Sequence, residues 1–334
     1  MLYETPRLEA VDHDVLGELE AMRADLRHRI AEPRKWTGLL RRSLMAASIQ
    51  GSNSIEGYKV TLADAEAAVT GDEPLETDAA TWQEITGYRD ALTYVQQLGA
   101  SPEFEWHHML LNAMHFMLLK HRLSMGPGRF RPGGIYVTDT ATQTVVYEGP
   151  DADRVPGLMV ELAAWLNNGD PAAPAYVRAA MAHLNLVSIH PWRDGNGRMS
   201  RCVQTLVLAR EGVLAPEFSS IEEWLGTGRN TYAYYDALTE VRGGARFEPH
   251  DETLSWVRFN LRAHHLQAQI VRLRFDEAAR LWTELADLAE ARHLPERAVT
   301  ALYEVANGSN LRRASYQRDE GLSLDQAKIG RAHV

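Results

Sequence analysis

The spacing of apolar residues constrains the fold most, because it follows the helical period through most of the chain. Residues that recur every three or four positions line one face of an α-helix, and that face must be covered. Residues 135–148 depart from this period, since β-branched residues flank a polar turn, as is typical of a β-hairpin. The sequence therefore predicts a mainly α-helical protein with one hairpin. Helices are predicted over 15–30, 82–95, 106–120, 154–167, 173–190, 198–211, 229–241 and 251–270.

The composition is that of an ordinary globular protein. The chain has 334 residues, of which 45% are hydrophobic and 24% charged, so it can bury a sizeable core. A formal charge of −10 argues against a surface that coats nucleic acid or anionic membrane as a whole. Its single cysteine, Cys202, cannot form an intramolecular disulfide, and no signal peptide or membrane-spanning run is recognisable. We therefore expect a cytoplasmic protein with no membrane partner.

Changes in composition predict three regions along the chain. A polar, acidic connector occupies residues 71–80, and beyond about residue 270 arginine, leucine, alanine and glutamate become more frequent. We predict an N-terminal helical region over 1–75, a central core over 76–270 and a C-terminal helical segment over 271–334.

The segment SIHPWRDGNGRMSR, residues 188–201, carries far more chemistry than a connection between two helices requires. Pro191 disfavours helix at the residue before it, so the first helix should end at His190 with the imidazole at its tip. Gly195 and Gly197 permit positive φ angles and close approach of another group to the backbone. Successive N–H groups in such a bend form a nest for anions.

The helix that follows this bend strengthens the expectation of an anionic ligand. Its first N–H groups and positive dipole end favour an anion, and Asp194 can hold a hard cation such as Mg²⁺, which normally arrives with phosphate oxygens. Arg198 and Arg201 are three residues apart, hence neighbours on the helix and off its apolar stripe. These features indicate a metal-bound polyphosphate beside a histidine placed for proton transfer. The sequence contains no Walker A loop.

HPWRDGNGRMSR resembles the signature of the Fic (Fido) family, H-P-F-x-[D/E]-G-N-G-R-x-x-R. Every defined position matches except Trp192, where the family usually has phenylalanine, and the surrounding pattern extends the resemblance over residues 35–265. The resemblance implies a Fic-type helical bundle, with the hairpin as a flap beside the active site and the catalytic core at 76–270.

The resemblance also implies an activity, the transfer of AMP from ATP to a Ser, Thr or Tyr hydroxyl of a target protein. His190 would then be the general base that takes the hydroxyl proton, a role that suits a neutral imidazole. The implied roles of the other motif residues are Mg²⁺ binding for Asp194, an anion hole for Gly195, Asn196 and Gly197, and binding of the terminal phosphates for Arg198.

Three further features bear on substrate and target under the same resemblance. The G-N-G sequence favours nucleotidyl transfer, because the related Doc kinases usually carry a bulkier residue at the first glycine and lysine at the second. Tyr234 and Tyr235 match a region that borders the adenine in relatives, although ordinary core packing explains two helical aromatics equally well. The flap would clamp a target by strand addition. The flap and docking residues so predicted are Arg131, Ile135, Tyr136 and Val137.

A second motif, SNSIEG, lies far upstream and resembles the Fic inhibitory motif [S/T]-x-x-x-E-[G/N]. Ser52 and Glu56 are four residues apart, hence on one helix face, and Gly57 is typical of a helix end. Glu56 would lie at the negative end of the helix dipole, where a cation relieves it. The resemblance names Arg201 as that cation, and the pair would block a productive γ-phosphate. An autoinhibited enzyme is predicted; an exposed glutamate at a helix end is the plainer alternative.

The C-terminal segment resembles a partial winged-helix module. Residues 296–327 match its opening, with Gly321 at the turn and Leu322–Ser323 beginning the next helix, after which the recognition helix stops short. The tail KIGRAHV, residues 328–334, matches a reading frame of a common sequencing adapter. We expect this tail to be spurious, so that DNA binding would need a more complete segment; a genuine short polar terminus is the alternative.

Several functional alternatives stay open on the sequence. Within the enzymes these are transfer of another phosphate-bearing group and removal of AMP from a modified protein. Outside the enzymes, a nucleotide-sensing regulator could bind DNA through its C-terminal segment. The predicted partners are ATP, Mg²⁺ and a target protein that the sequence does not name, and a second copy of the chain is a further candidate partner.

Overall fold

Helices dominate the computed structural model, which describes residues 1–32, 34–138, 144–244, 246–309, 311, 316–317 and 320–321. Within these residues the mainly α-helical fold with one hairpin that the sequence predicts is confirmed. The elements are α1 (Ala10–Ile30), α2 (Lys35–Ile55), α3 (Leu62–Thr70), α4 (Ala79–Ala100), α5 (His108–Leu119), β1 (Tyr136–Thr138), β2 (Val145–Glu148), α6 (Val155–Asn168), α7 (Ala175–Ile189), α8 (Asn196–Arg210), α9 (Pro216–Ser219), α10 (Glu222–Leu225), α11 (Asn230–Arg242), α12 (Leu254–Ala291) and α13 (Arg297–Ala306), with a 3₁₀ turn at Leu123–Met125.

The centre of the fold is the pair α7 and α8, which pack along each other and bury almost every side chain. α4 covers α8, whereas α6 and α12 cover α7. A helix that is surrounded on all sides needs apolar or internally satisfied residues around its whole circumference, and both sequences meet this need. The bend between the two helices, residues 190–195, is therefore held at both ends by the core.

α2 runs from the N-terminal region to this bend and is fixed lengthwise by a close crossing with α10. A Cβ atom on Gly51 would lie 2.2 Å from the carbonyl oxygen of Glu222, and one on Gly226 would lie 2.4 Å from the Cα of Gly51. Backbone touches backbone here, which only glycine permits. The last turn of α2, which also contacts α8, consequently has a defined position.

α12 is longer than predicted, since the helix expected over 251–270 continues to Ala291. It therefore passes through the predicted boundary at residue 270, which falls inside an element, and the division into three domains stays a prediction. The composition changes there because the helix leaves the main core and continues against a smaller cluster with α1, α2 and α13. Members of that cluster include Leu26, Trp36, Leu39, Phe218, Phe275 and Tyr303.

The hairpin is antiparallel, with Tyr136 opposite Glu148 and Val137 opposite Tyr147. Its turn, residues 139–143, lies outside the described residues. Tyr147 is buried, and its hydroxyl donates to the carbonyl of Ser188 in α7. This bond anchors the base of the hairpin next to the end of α7.

The predicted features of the C-terminal segment lie only partly within the described residues. Gly321, the predicted turn glycine, has a φ of 61°, but Leu322–Ser323 and residues 328–334 lie outside the description. No helix in the described part of the chain combines the length and the apolarity that crossing a bilayer demands.

Candidate functional site

His190 ends α7 in a left-handed conformation, with φ 49° and ψ 59°. Its N–H donates to the carbonyl of Leu186 at 3.1 Å. This conformation costs a non-glycine residue about 1–2 kcal/mol, so other contacts must hold it. Arg131 provides them, because its Nε donates to the carbonyl of His190 at 2.8 Å and its backbone N–H donates to the carbonyl of Pro191 at 2.9 Å.

The imidazole of His190 is oriented by its own helix. Nδ1 lies 3.1 Å from the carbonyl oxygen of Val187, an acceptor only, so Nδ1 carries the proton and Nε2 keeps its lone pair. Burial lowers the pKa of His190 to about 4, with smaller contributions from Arg242 and Arg131. The ring is consequently neutral near pH 7 and presents one nitrogen that can accept a proton.

The start of α8 forms a cradle for an anion. Gly195 precedes the helix with a φ of 76°, and the first N–H groups of any helix lack partners within it. A Cβ atom on Gly197 would lie 2.5 Å from Oε1 of Glu56 and 3.3 Å from Nη1 of Arg201. The space over Gly197 is thus already taken by a carboxylate, which is itself an anion.

The contact that brings Glu56 there is the predicted pair with Arg201. Nη2 of Arg201 donates to Oε1 of Glu56 at 2.7 Å and to the carbonyl of Ser52 at 3.0 Å, while Nε donates to Oγ of Ser52 at 2.8 Å. Glu56 is the C-cap residue of α2, and Gly57 follows it with a φ of 87°. A buried guanidinium therefore neutralises a carboxylate at the negative end of a helix dipole.

The two predicted adenine-pocket tyrosines, both on α11, have different surroundings. Tyr234 is 2% exposed, and its hydroxyl lies 2.9 Å from Nε2 of His183, so it belongs to the core. Tyr235 is 45% exposed, and its hydroxyl donates to the carbonyl of Ile55 at 3.1 Å. Of the two, only Tyr235 has surface to offer a ligand, and it also contacts the end of α2.

Arg198 is paired with a residue that the sequence did not reveal. Its Nη1 donates to Oε2 of Glu84 in α4 at 2.6 Å, and both side chains are buried. Burial alone would raise the pKa of Glu84, but Arg198 and His121 together outweigh it, so the pKa lies below its ordinary value and the carboxylate is ionised. Glu84 could not be singled out because a lone glutamate on a helix usually faces solvent.

Asp194 is also engaged with the protein. Its Oδ2 accepts from Nη1 of Arg122 at 2.6 Å, and its Oδ1 accepts from the N–H of Gly195 at 2.6 Å. The carboxylate is a hard oxygen donor that already holds a cation, which fits Mg²⁺. Among the described residues no group of three or more His, Cys, Asp or Glu could form a metal cage, so water and phosphate oxygens would complete the coordination of an ion held by Asp194.

The side chain of Asn196 is used within the bend itself. Its Oδ1 accepts from the N–H of Trp192 at 3.0 Å and its Nδ2 donates to the carbonyl of Trp192 at 2.9 Å. The side chain therefore closes the bend instead of facing a ligand, and only its backbone N–H can serve an anion hole. Trp192 is fully buried, and its Nε1 donates to Oδ1 of Asn112 at 2.9 Å, so α5 accommodates the tryptophan that replaces phenylalanine.

His115 on α5 packs against the same bend and forms a hydrogen bond with its backbone. Its ring stacks on Trp192 with centroids 4.4 Å apart. Because Nδ1 accepts from the N–H of Gly128 at 2.9 Å, Nε2 must carry the proton that it donates to the carbonyl of Asp194, also at 2.9 Å. Burial lowers the pKa of His115 to about 4 and keeps it neutral. Asn112 and His115, three residues apart in an otherwise apolar helix, were the sequence signal for this support.

The flap residues divide into an anchor and an exposed surface. Arg131 was predicted to dock a target, but its guanidinium is buried and donates to the carbonyls of His190, Gly133 and Pro150. It fixes the flap to the bend instead, because three internal acceptors satisfy it. Ile135 accepts from the N–H of Gly149 at 3.1 Å, and Tyr136 is 58% exposed. Val137, partly buried, packs against the core.

Comparison with known proteins relates this part of the chain to one family. Residues 105–208 match the model of the Fic/DOC family. A relative from Nematostella vectensis, named Protein adenylyltransferase Fic, is 27% identical over 62% of this chain, and one of the same name from Drosophila willistoni is 31% identical over 61%. The chain spans 47% and 40% of the lengths of these two relatives.

Solved structures share the fold. A Fic family protein from Desulfovibrio desulfuricans G20 superposes with a TM-score of 0.65 at 24% identity, covering 99% of this chain and 89% of that one. Fic-1 from C. elegans gives a TM-score of 0.63 at 21% identity, covering 80% and 74%. The helical bundle with a hairpin is therefore the architecture of these neighbours, as predicted.

Proposed function

From the match of residues 105–208 to the Fic/DOC family, we propose that the chain transfers AMP from ATP to a hydroxyl side chain of a target protein. One observation carries the proposal: a neutral imidazole with a free acceptor nitrogen ends α7, and a cradle that already holds a carboxylate begins α8. A base and an anion site on one bend are what nucleotidyl transfer requires.

His190 would act on the attacking group. As the hydroxyl oxygen of a target Ser, Thr or Tyr forms a bond to the α-phosphorus, the bond from that phosphorus to the β-bridging oxygen breaks and pyrophosphate leaves. The hydroxyl proton passes to Nε2 of His190, while the bond from Nδ1 to Val187 keeps the ring in place. Phosphate charge near the imidazolium would raise the pKa of His190 above its resting value and favour this transfer.

The phosphates would be held by the start of α8. The backbone N–H groups around Gly197 and the guanidinium groups of Arg198 and Arg201 offer fixed positive charge, which supplies most of the rate in phosphoryl-type transfer. Asp194 would hold Mg²⁺, which when bound neutralises charge on the phosphates. The exposed Tyr136 and the edge of β1 that does not face β2 would align an extended target segment by strand addition.

We further propose that Glu56 inhibits this activity. Its carboxylate lies against Gly197 and binds Arg201, so a γ-phosphate would meet an anion where it needs a cation. The free protein should therefore be weakly active, and loss of the carboxylate should release Arg201 for the nucleotide.

Incubation with α-labelled ATP tests both proposals. Glu56→Gly should raise self-labelling on the order of 100-fold, because it frees one preorganised cation. Adding His190→Ala should lower the signal about 100-fold or more. Glu211→Gly is the matched control, since Glu211 also caps a helix C-terminus and binds an arginine, Arg178, but lies away from the bend.

The outcomes separate the alternatives. AMP on a hydroxyl, found by mass spectrometry after Glu56→Gly, supports the transferase. Label from γ-labelled ATP instead would indicate a kinase, and nucleotide binding without any transfer would indicate a regulator. Equal labelling of the wild type and Glu56→Gly would remove the inhibitory role of Glu56.

Removal of AMP is a second candidate, favoured by the position of Glu56. Its carboxylate is near enough to His190 to influence the pKa of the imidazole, and it is 24% exposed. A carboxylate and an imidazole in one site could activate a water molecule on a modified side chain. Release of labelled AMP from a modified target by the wild type, and its loss in Glu56→Gly, would establish this activity.

A further inference from the structure

Four charged side chains form a continuous chain of ion pairs across the site. Nη1 of Arg198 lies 2.6 Å from Oε2 of Glu84, and the other oxygen of Glu84, Oε1, lies 3.3 Å from Nη1 of Arg122. The same Nη1 of Arg122 lies 2.6 Å from Oδ2 of Asp194. The two ends of this chain are the proposed phosphate and metal ligands, whereas the two middle members have no role in the transfer described above.

In this arrangement each proposed ligand is neutralised by the protein itself. Arg198 and Glu84 are almost fully buried, with side chains 1% and 4% exposed, so neither can turn to solvent. Arg122 is 31% exposed and Asp194 is 29% exposed, and this pair lies at the open side of the site. Two anions thus balance two cations before any metal or nucleotide enters.

We propose that Glu84 and Arg122 are positioning residues that exchange partners when metal and nucleotide bind. The metal takes Asp194 from Arg122, the phosphates take Arg198 from Glu84, and Arg122 and Glu84 then pair with each other. The proposal rests on the proposed function for its ligands, but it concerns different residues from Glu56, since neither of the two lies on α2.

The exchange is favoured because no buried charge is left alone. A buried carboxylate that loses its nearest cation is strongly disfavoured. If phosphate removed Arg198, Glu84 would keep only Nε2 of His121 at 3.1 Å and Nη1 of Arg122 at 3.3 Å from its Oε1. Arg122 is already within 3.3 Å, so a small side-chain movement supplies the replacement. Metal and nucleotide should therefore assist each other, because the metal releases the arginine that Glu84 needs.

A direct consequence is that Arg122 competes with metal for Asp194 when no nucleotide is present. Binding of Mn²⁺ alone, followed by electron paramagnetic resonance in the Glu56→Gly background, measures this competition without catalysis. Adding Arg122→Gln should tighten Mn²⁺ binding about tenfold, the equivalent of one partly buried ion pair. A merely structural arginine would weaken binding on removal, so the direction of the change is diagnostic.

Matched variants make the result specific. Arg258→Gln removes an arginine of similar exposure that also binds two carboxylates, Asp12 and Glu9, and should leave Mn²⁺ affinity unchanged. Arg122→Lys keeps the charge and should keep the affinity low. Asp194→Asn, added to Arg122→Gln, should abolish the gain.

The proposal is overturned if Arg122→Gln leaves Mn²⁺ affinity unchanged or lowers it, or if the gain persists with Asp194→Asn. Its failure is distinguishable from failure of the transferase proposal. Mn²⁺ binding is read without ATP, whereas the transferase proposal fails on absence of labelling, whatever the metal affinity.

Discussion

His190 shows at the scale of one residue how burial sets the chemistry of a side chain. Burial lowers the pKa of its imidazole to about 4, and the Glu56 carboxylate opposes part of that effect. The neutral, proton-accepting form is therefore present throughout the range above that pH, and it is lost only as the pH falls through the pKa. A base of this kind needs no activation at neutral pH.

We predict that NMR titration of ¹⁵N-labelled histidines will give His190 a midpoint near 4 in the wild type. The resonance is assigned by its absence in His190→Ala. Glu56→Gly should move the midpoint lower, because a nearby negative charge is removed. A midpoint near 6.5, the ordinary value for histidine, would show that burial does not control this ring.

Trp192 offers a second residue-scale prediction. Trp192→Phe removes the Nε1 donor and leaves the buried Oδ1 of Asn112 without it, so unfolding should become easier by about 2 kcal/mol. Adding Asn112→Leu should recover part of that loss, because removing both partners of a buried hydrogen bond is less costly than removing one. Denaturant unfolding of the two single variants and the double variant measures the coupling. If the losses of the two single variants simply added in the double variant, the predicted coupling between Trp192 and Asn112 would be wrong.

What the sequence revealed of the site depends on local spacing. His190, Asp194 and the glycines follow one another within a few positions, and Glu56 has its own motif, so all could be found. Glu84 and Arg122 stand 114 and 72 residues from their partners Arg198 and Asp194, and nothing local distinguishes them from solvated charges. The orientation of Asn196 and Arg131 likewise depends on carbonyl groups that only the folded chain brings near.

α2 is the element on which the inhibition proposal depends, and its crossing with α10 sets where Glu56 lies. Gly51→Ala would place a methyl group 2.2 Å from the carbonyl oxygen of Glu222, so α2 must shift. We predict a loss of about 1–3 kcal/mol in the free energy of unfolding. Self-labelling with α-labelled ATP should rise, because Glu56 no longer meets Arg201.

Gly38→Ala is the matched control on the same helix, since a methyl group there meets nothing within 4 Å. It should stabilise the protein by about 0.5–1 kcal/mol through helix propensity and leave labelling low. Thermal unfolding and labelling of the two variants side by side give the comparison. Labelling of Gly51→Ala that stays at the wild-type level would contradict the positional role of the crossing.

Elements were predictable where their period was long enough to recognise. α7 and α8 each repeat apolar residues over several turns, and their observed bounds lie within two residues of the predicted ones. α9 and α10 are four residues each, too short for any period to appear. The sequence does not predict that α12 continues beyond residue 270, because its later turns cover only a small cluster. The composition therefore changes there, although the helical conformation continues.

The whole molecule buries several histidines in the neutral form, and this makes its stability depend on pH. Burial lowers the pKa of His115 to about 4, that of His183 to about 3, and that of His264 well below its ordinary value. Below about pH 6.5 the unfolded chain binds protons at these residues that the folded chain does not. Stability is therefore lost as the pH falls from about 6.5 towards 4.

Each of these three histidines should remove about 1.4 kcal/mol per pH unit within that window. Glu222 opposes them, because burial raises its pKa to about 7. Glu222 therefore binds a proton in the folded chain more readily than in the unfolded chain, and the protein loses stability as the pH rises towards 7. His190, whose pKa burial also lowers to about 4, acts in the same direction, so one glutamate against four histidines leaves a net loss on acidification. Urea unfolding at pH 7.0 and pH 5.0 measures it, and equal stability at both values would contradict the account.

The central claim for the molecule is that the bend after His190 receives a triphosphate once Glu56 is removed. A crystal structure of the Glu56→Gly variant with Mg²⁺ and ATP is the most direct measurement. We predict the phosphates over Gly197 at the start of α8, bound by Arg198 and Arg201, with the α-phosphate facing Nε2 of His190. A nucleotide bound elsewhere, or a bend that stays closed around its own side chains at saturating ATP, would contradict the claim.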